Sequence, residues 1–416
     1  MRITFLTIFP ASFSSFPYCP VISRAVEKGI ISFDVVDIRE YADGCFRAVD
    51  DSPYGGGAGL LLRADTLTKA LEDVKTDRSR TILLGPKGKK FTQTMAHELA
   101  GEKHIILVAG HYEGVDERFR SHIDDEISIG DYILTGGESA AMIVAEAVTR
   151  LLDGALRGSS AKEESFEDGI LEYPQYTHPA VFEGKAVPEV LMSGDRKKIA
   201  CFNETEALKD TIRLRPDLLS NDRDFSCCSL HKGYGNEADI IRWIKERLPV
   251  PEILYEDETY LILSKKKGKS LKDCTKNRIL KTCAAILKAF WAMDVSDCPC
   301  CESIEVAISK MKERKLSYAE WNMLQKLEGN TGLNEDRVFS HGNLKLDNII
   351  VNGNGLLMLT GMQKAGTADR YRDLALLIPS LEEAGIRKEE LFSLLGLEPD
   401  EEKIEFFGNL NSLLSG

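Results

Sequence analysis

Three glycine-bearing segments, each following a short apolar run, limit most strongly how this chain can fold. They are LGPKGKK (84–90), GHYEG (110–114) and SIGDYILTGGE (128–138). Glycine admits φ > 0 and lets backbone approach a ligand closely. Apolar runs ending in such segments read as strands that feed turns. Turns at the ends of parallel strands converge on one pocket at a sheet edge. Apolar runs at 3–8, 33–36, 82–84 and 105–108 alternate with helical stretches over residues 1–156. That is the pattern of an α/β domain with a mostly parallel sheet. Residues 137–152, rich in Ala, Val, Ile and Met, read as a buried helix that stops at Asp153-Gly154. Spacing alone leaves open whether the three segments cradle a ligand or are ordinary loops.

A formal net charge of −13 argues against a generic nucleic-acid binder, because neutralising phosphates takes clustered Lys and Arg. Local basic clusters exist: Lys87, Lys89 and Lys90; Arg118 and Arg120; Arg196, Lys197 and Lys198. Each by itself reads as a solvated face, and only joint placement around a pocket would promote them. No apolar run has membrane-spanning length and no charged-then-apolar signal opens the chain, so a cytoplasmic protein without membrane contact is expected. Ten cysteines in such a chain read as reduced thiols. The Cys298-Pro299-Cys300-Cys301 run lacks the repeated pair spacing of a zinc site, and no metal centre is expected there. The run YGGGAG (54–59) lacks the Gly-Lys-Ser/Thr ending of a phosphate loop. A length of 416 residues predicts two or three domains.

Several longer motifs occur in a fixed order: RITFLTIFP (2–10), VDDSPYGGGAGLLL (49–62), the second and third glycine segments, EESFEDGILEYPQYTHP (163–179), VPEVLMSGD (187–195) and RLRPDLL (213–219). From Met1 to about Ser220 the chain thereby resembles the bacterial tRNA (guanine-N1)-methyltransferase family. The resemblance implies a SPOUT-type α/β domain over 1–156, with a deep trefoil knot that holds bent S-adenosylmethionine. A linker at 157–182 and a small helical tRNA-binding domain at 183–222, with one helix at 204–214, would follow. The implied activity is methyl transfer to N1 of the guanosine just 3′ of the anticodon, on a homodimer. The implied cofactor cradle takes Leu84, Gly85 and Pro86 from the first segment. From the second it takes Gly110, Tyr112, Glu113 and Gly114. The third supplies Ser128, Ile129, Gly130, Tyr132, Leu134, Gly136 and Gly137. Glu113 would lie near the methionine end, where it helps hold a magnesium ion.

Methylating guanine N1 needs a base for its proton, a donor for the charge that builds on O6, and alignment with the sulfonium carbon. The family pattern puts the donor on Arg150 and the base on Glu164, where the family has aspartate. Glu163 and Asp168 are alternatives for the base. Glu172, also in place of aspartate, would contact the target guanine, and Asp50 and Tyr54 would face the tRNA. The resemblance further implies that Glu164 acts across a two-fold interface.

Residues 229–416 resemble aminoglycoside 3′-phosphotransferases, with a kinase-like fold. The matching motifs are ADIIRWIKERLPVPEIL (238–254), MDVSDCP (293–299), VFSHGNLKLDNIIVN (338–352), AGTADRYRDLALLI (365–378) and LFSLLGLEPDEEKIEFF (391–407). The catalytic residues are altered. Asn343 stands where the base aspartate belongs, Asn348 is kept, and Thr360 replaces the metal-binding aspartate. Lys232 is the one remnant of the phosphate lysine, and no room is left for a glycine-rich strand pair. Phosphotransfer is therefore not expected. A second reading of the whole chain is a regulatory protein that binds tRNA and S-adenosylmethionine without catalysis.

Overall fold

The structure is a computed structural model of the chain, in which residues 1–156, 164–219, 225–329 and 333–415 are described. The chain divides into two compact units, Met1–Glu172 and Tyr173–Gly416. In the first unit the strands are β1 (Arg2–Thr7), β2 (Ser32–Asp37), β3 (Asp50–Asp51), β4 (Leu61–Leu62), β5 (Ser79–Lys90), β6 (His104–Ala109) and β7 (Asp125–Ser128). Its helices are α1 (Pro20–Glu27), α2 (Ala64–Val74), α3 (Gln93–Ala100) and α4 (Glu138–Leu151). Five strands form one parallel sheet in the order β2-β1-β6-β5-β7, while β3 and β4 pair separately.

Alternation along the strands explains why both faces are covered. Ile3, Phe5, Ile82, Leu84, Ile105 and Leu107 point to one side, where Ala141, Val144 and Val148 of α4 close the core. Leu6, Leu83, Ile106 and Val108 point to the other, against Leu67 and Leu71 of α2 and Phe119. Successive side chains of a strand face opposite ways, so near-continuous apolar strands need a helical layer on each face.

The structure departs from the sequence expectation at 84–90. No simple turn forms there. Strand β5 continues to Lys90, and residues 85–88 bulge from the ladder, so that Leu84 and Lys89 both stand opposite Ile127. Pro86 has no N–H to give a ladder. Gly88 is required for close approach, since a Cβ there would overlap the backbone of Glu126 and Ile127. Helix α4 runs from 138 to 151 with Gly137 as its N-cap, but it is not buried all round, since Ile143 and Glu146 are exposed.

The second unit opens with the hairpin β8 (Val181–Phe182) and β9 (Lys185–Ala186), then α5 (Glu189–Met192) and α6 (Arg196–Leu214). Helix α6 begins eight residues before the expected 204. Asp195 caps it by accepting from the backbone N–H groups of Lys197 and Lys198, a start signal hidden in a polar stretch. Next come β10 (Cys228–Lys232), α7 (Glu237–Ile244), β11 (Ile253–Glu256), β12 (Tyr260–Ser264), β13 (Lys269–Ser270), α8 (Lys276–Trp291), α9 (Ile304–Lys312) and α10 (Tyr318–Glu328). The unit closes with β14 (Arg337–Ser340), β15 (Ile349–Asn352), β16 (Gly355–Leu359), β17 (Gly366–Asp369), α11 (Tyr371–Glu383), α12 (Lys388–Leu395) and α13 (Glu401–Ser415). Three antiparallel strands, β10-β12-β11, pack with α7 (238, 240, 241 and 244) and with α8 and α11 around one apolar core.

The backbone of the 341–343 loop is held by side-chain hydrogen bonds. Buried Asp373 accepts from the N–H groups of His341 (2.8 Å) and Gly342 (3.0 Å), and the Asn348 side chain donates to the Asn343 carbonyl (2.8 Å). Burial pushes His341 down to about 4 and raises Asp373. Lys232 sits over the Tyr260 ring, 5.9 Å from its centroid.

Candidate active site

The bulged end of β5, the segment after β6 and the segment between β7 and α4 come together at the carboxyl ends of the parallel strands. They enclose a cavity of about 280 Å³, near the lower end of the ~300–1,000 Å³ common for small-molecule sites. Every residue expected in the cofactor cradle lines it: Leu84, Gly85 and Pro86; Gly110, Tyr112, Glu113 and Gly114; Ser128, Ile129, Gly130, Tyr132, Leu134, Gly136 and Gly137. The walls are joined by main chain. The Gly137 N–H donates to the Gly110 carbonyl at 2.7 Å, and the Glu113 N–H donates to the Leu60 carbonyl at 3.0 Å. Ser128 Oγ donates to the Gly130 carbonyl at 3.1 Å.

Gly137 has no room for a side chain, because a Cβ would sit 2.8 Å from both Ala109 Cα and the Gly110 nitrogen. Gly137→Ala should therefore push α4 away from β6 and cost roughly 1–3 kcal/mol of overpacking. Calorimetry should show S-adenosylmethionine affinity falling about tenfold or more. An unchanged affinity would mean that the cleft does not hold the cofactor.

Sequence reasoning missed several lining residues: His111, Glu117, Arg120, Glu126 and Ile133. Glu126 is paired with Arg120, which also contacts Glu117 at 2.9 Å. The alternation in DDEIS was the available signal, since it turns Glu126 away from the buried Ile127. His111 Nδ1 is buried without a hydrogen-bond partner among the described residues. Tyr112 takes φ 57°, a left-handed conformation that is strained for a non-glycine residue. Its hydroxyl is raised first by burial and then by the charge and hydrogen bond of Asp50, which places Asp50 beside the cleft. Tyr54 is fully exposed, in a loop whose Gly59 lies so near Glu113 that a Cβ would overlap its side chain.

Arg150 and Glu164 meet each other instead. Arg150 Nη2 lies 2.6 and 2.7 Å from the two carboxylate oxygens of Glu164, with both side chains about one-third exposed. The segment carrying Glu164 is docked on α3, where Glu167 accepts from Gln93 (2.6 Å) and meets His97 (2.9 Å). Asp168 and Glu172 are exposed, and the Glu172 N–H donates to Ser165 Oγ at 3.0 Å. Glu163 lies outside the described residues. Ala140 is the last residue of α4 on the cavity. Ten residues of helix separate it from Arg150, roughly 15 Å at 1.5 Å per residue.

The expected basic clusters divide. Arg118 is held by Asp116 at 2.6 Å, and Arg120 by Glu117 and Glu126. Lys87 lines the cavity, and Lys89 and Lys90 are exposed. Among the described residues no group of three His, Cys, Asp or Glu side chains could hold a metal ion. No described helix is long and apolar enough to cross a membrane.

A cleft built from main chain at the carboxyl ends of parallel strands defines an α/β ligand-binding domain of the kind that seats nucleotide-like molecules. The profile described as tRNA (Guanine-1)-methyltransferase TrmD matches residues 1–221. A tRNA (guanine-N(1)-)-methyltransferase of Halalkalibacterium halodurans is 50% identical over 224 residues, covering 53% of this chain and 91% of that protein. Those of Clostridium botulinum and Geobacillus kaustophilus are 48% and 49% identical, each over 91% of their length. The chain belongs to the tRNA (guanine-N1)-methyltransferase family. Residues beyond 221 lie outside the match.

Proposed function

We propose that this enzyme transfers a methyl group from S-adenosylmethionine to N1 of the guanosine 3′ of the tRNA anticodon, with Arg150 and Glu164 as its reacting groups. The Arg150–Glu164 pair carries the proposal. It sets a hydrogen-bond donor beside an acceptor, the complement of guanine's O6 acceptor beside its N1–H donor. Glu164 would take the N1 proton, while the Arg150 guanidinium holds the charge that develops on O6. Bound in the cleft, S-adenosylmethionine supplies an electrophilic methyl on a sulfonium sulfur. The cleft suits that ligand. Its backbone edges can read an adenine, Pro86, Ile129 and Leu134 offer apolar faces, Glu113 offers a negative charge for the cationic end, and His111 Nδ1 is a buried group in want of a partner. A magnesium ion near Glu113 would be held mainly by ligand oxygens and water, as this cation commonly is. The trefoil knot belongs to the same reading.

Along α4, Arg150 lies ten residues beyond Ala140, the last helix residue on the cavity, and that rise of roughly 15 Å exceeds the reach of an extended arginine. The reading therefore includes a two-fold dimer, in which the Arg150–Glu164 pair of one copy serves the cleft of the other. Exposed Tyr132, Ile133, Leu134 and Ile143 leave an apolar surface of the kind that marks an interface. Mixing Arg150→Ala chains with Gly137→Ala chains should then recover up to about a quarter of wild-type activity, since half the dimers are mixed and each has one intact site. Mixing Arg150→Ala with Glu164→Gln should recover none, because both residues travel on one chain. The reverse pattern would assign the two residues to different subunits. The decisive test of function is methyl transfer to unmodified tRNA, with the product mapped to guanine N1. Binding of both ligands without transfer would favour the regulatory reading.

For the second unit we infer a degenerate phosphotransferase-like lobe that is inert towards aminoglycosides. Asn343 cannot accept a proton as a carboxylate does, and Thr360 is a poor magnesium ligand. This lobe would replace the family's last tRNA-contacting helices or brace the dimer. Asn221, the junction at which its removal is best tested, lies outside the described residues.

A further inference from the structure

We propose that the second unit carries its own phosphate-binding surface for tRNA, formed by the loop leading into β13 and the exposed face of α8. The inference rests on reading the chain as a tRNA methyltransferase. Residues 265–288 hold nine Lys or Arg and one acid, Asp273, in a chain whose net charge is −13. An acidic majority repels a polyanion, so the substrate's phosphates must meet unpaired cations locally.

The fold gathers these charges. Lys269 stands opposite Val351 of β15, and the Arg278 guanidinium donates to the carbonyl of Asn352, the next residue of that strand. Gly268 is pressed on the same hairpin, where a Cβ would sit 2.9 Å from the Val351 carbonyl oxygen. The loop bearing Lys266 and Lys267 is thus seated beside the start of α8. The hairpin tip between β15 and β16, Asn352-Gly353-Asn354, adds no negative charge. Helix α8 buries Ile279, Leu280, Cys283, Ile286 and Leu287, and leaves Lys281 and Lys288 exposed two turns apart on one face. Lys272 is different, being engaged by Asp347 (3.9 Å) and Glu383 (3.4 Å). Among the described residues Lys266, Lys267, Lys269, Lys281 and Lys288 make no ion pair.

The nature of the patch favours nucleic acid over an anionic membrane. A helix that lies on a bilayer inserts apolar side chains beside its lysines. None of the exposed large hydrophobic residues described falls between 260 and 300.

The test is the full-length chain with Lys266→Gln, Lys267→Gln, Lys269→Gln and Lys281→Gln together. Affinity for unmodified tRNA, read by fluorescence anisotropy without turnover, should fall on the order of tenfold near 0.15 M salt. The slope of log affinity against log salt should become shallower by about three. KM for tRNA should rise with it, while KM for S-adenosylmethionine and kcat at saturating tRNA stay at wild-type values. Wild-type tRNA affinity and salt slope in the variant would overturn the proposal. So would loss of binding to phosphatidylserine vesicles with tRNA affinity unchanged. The pair Lys266→Glu and Lys267→Glu, confined to the loop, keeps the test open if the fourfold variant fails to fold. Absence of methylation by the wild-type chain would count against the enzymatic reading, and tRNA affinity still decides on the patch.

Discussion

Replacing Arg150 by alanine should lower kcat/KM for tRNA methylation by about a hundredfold or more while S-adenosylmethionine affinity stays unchanged. The size follows from what such donors contribute: removing one aimed at a developing oxyanion typically costs ~10²–10³ in rate. Arg150 lies in the last turn of α4, ten residues past the last one on the cavity, so the cleft should not register its loss. An arginine near a helix C-terminus also stabilises the helix dipole by roughly 0.3–1 kcal/mol. That bland role predicts a small fall in thermal midpoint and little change in turnover. Arg150→Lys separates the two readings: it keeps the charge at the helix end but loses the planar fork. Near-wild-type turnover by Arg150→Ala would remove the residue from the chemistry.

Glu164→Gln should abolish most turnover, by ~10²–10⁴-fold, because the amide fills the same space and cannot take a proton. Its amide can still accept one hydrogen bond from Arg150, so the segment held on α3 through Glu167 should stay in place. Single-turnover kinetics with prebound tRNA would isolate the step. Asp168→Asn is the control: its side chain is exposed, so it should keep wild-type activity, as surface substitutions usually do. If Asp168→Asn is the inactive protein and Glu164→Gln the active one, the base lies four residues further along the segment.

The three segments of the cleft were legible because each is local, although His111, Glu117, Arg120, Glu126 and Ile133 were not read as lining it. Each wall is a short segment whose glycines and flanking apolar run are contiguous in sequence, as at Gly110 to Gly114. The pairings between segments were not legible. Glu126 is an ordinary acid of a short strand until β7 sets it against Arg120, and the resemblance suggested no role for it. Asp195 went unread as a cap because α6 starts in polar sequence with little apolar periodicity, so the helix was taken to begin at 204. The segment 84–90 read as a turn from its glycines, whereas Gly88 serves the close approach of Glu126 from another strand.

From its amino acids alone the chain determined its parallel α/β pattern, its family, and the three glycine segments that the cleft is built from. These follow from strand alternation and from motifs tens of residues long, which are carried by neighbours in the chain. Tertiary structure alone decided that Arg150 and Glu164 form one pair, that Ala140, ten residues before Arg150, is the last residue of α4 on the cavity, and that Lys266, Lys267, Lys269, Lys281 and Lys288 stay exposed without an ion pair among the described residues. Each of these depends on the direction a helix runs and on what a strand edge meets. Such distances through space are set by packing the whole unit, and no local spacing encodes them.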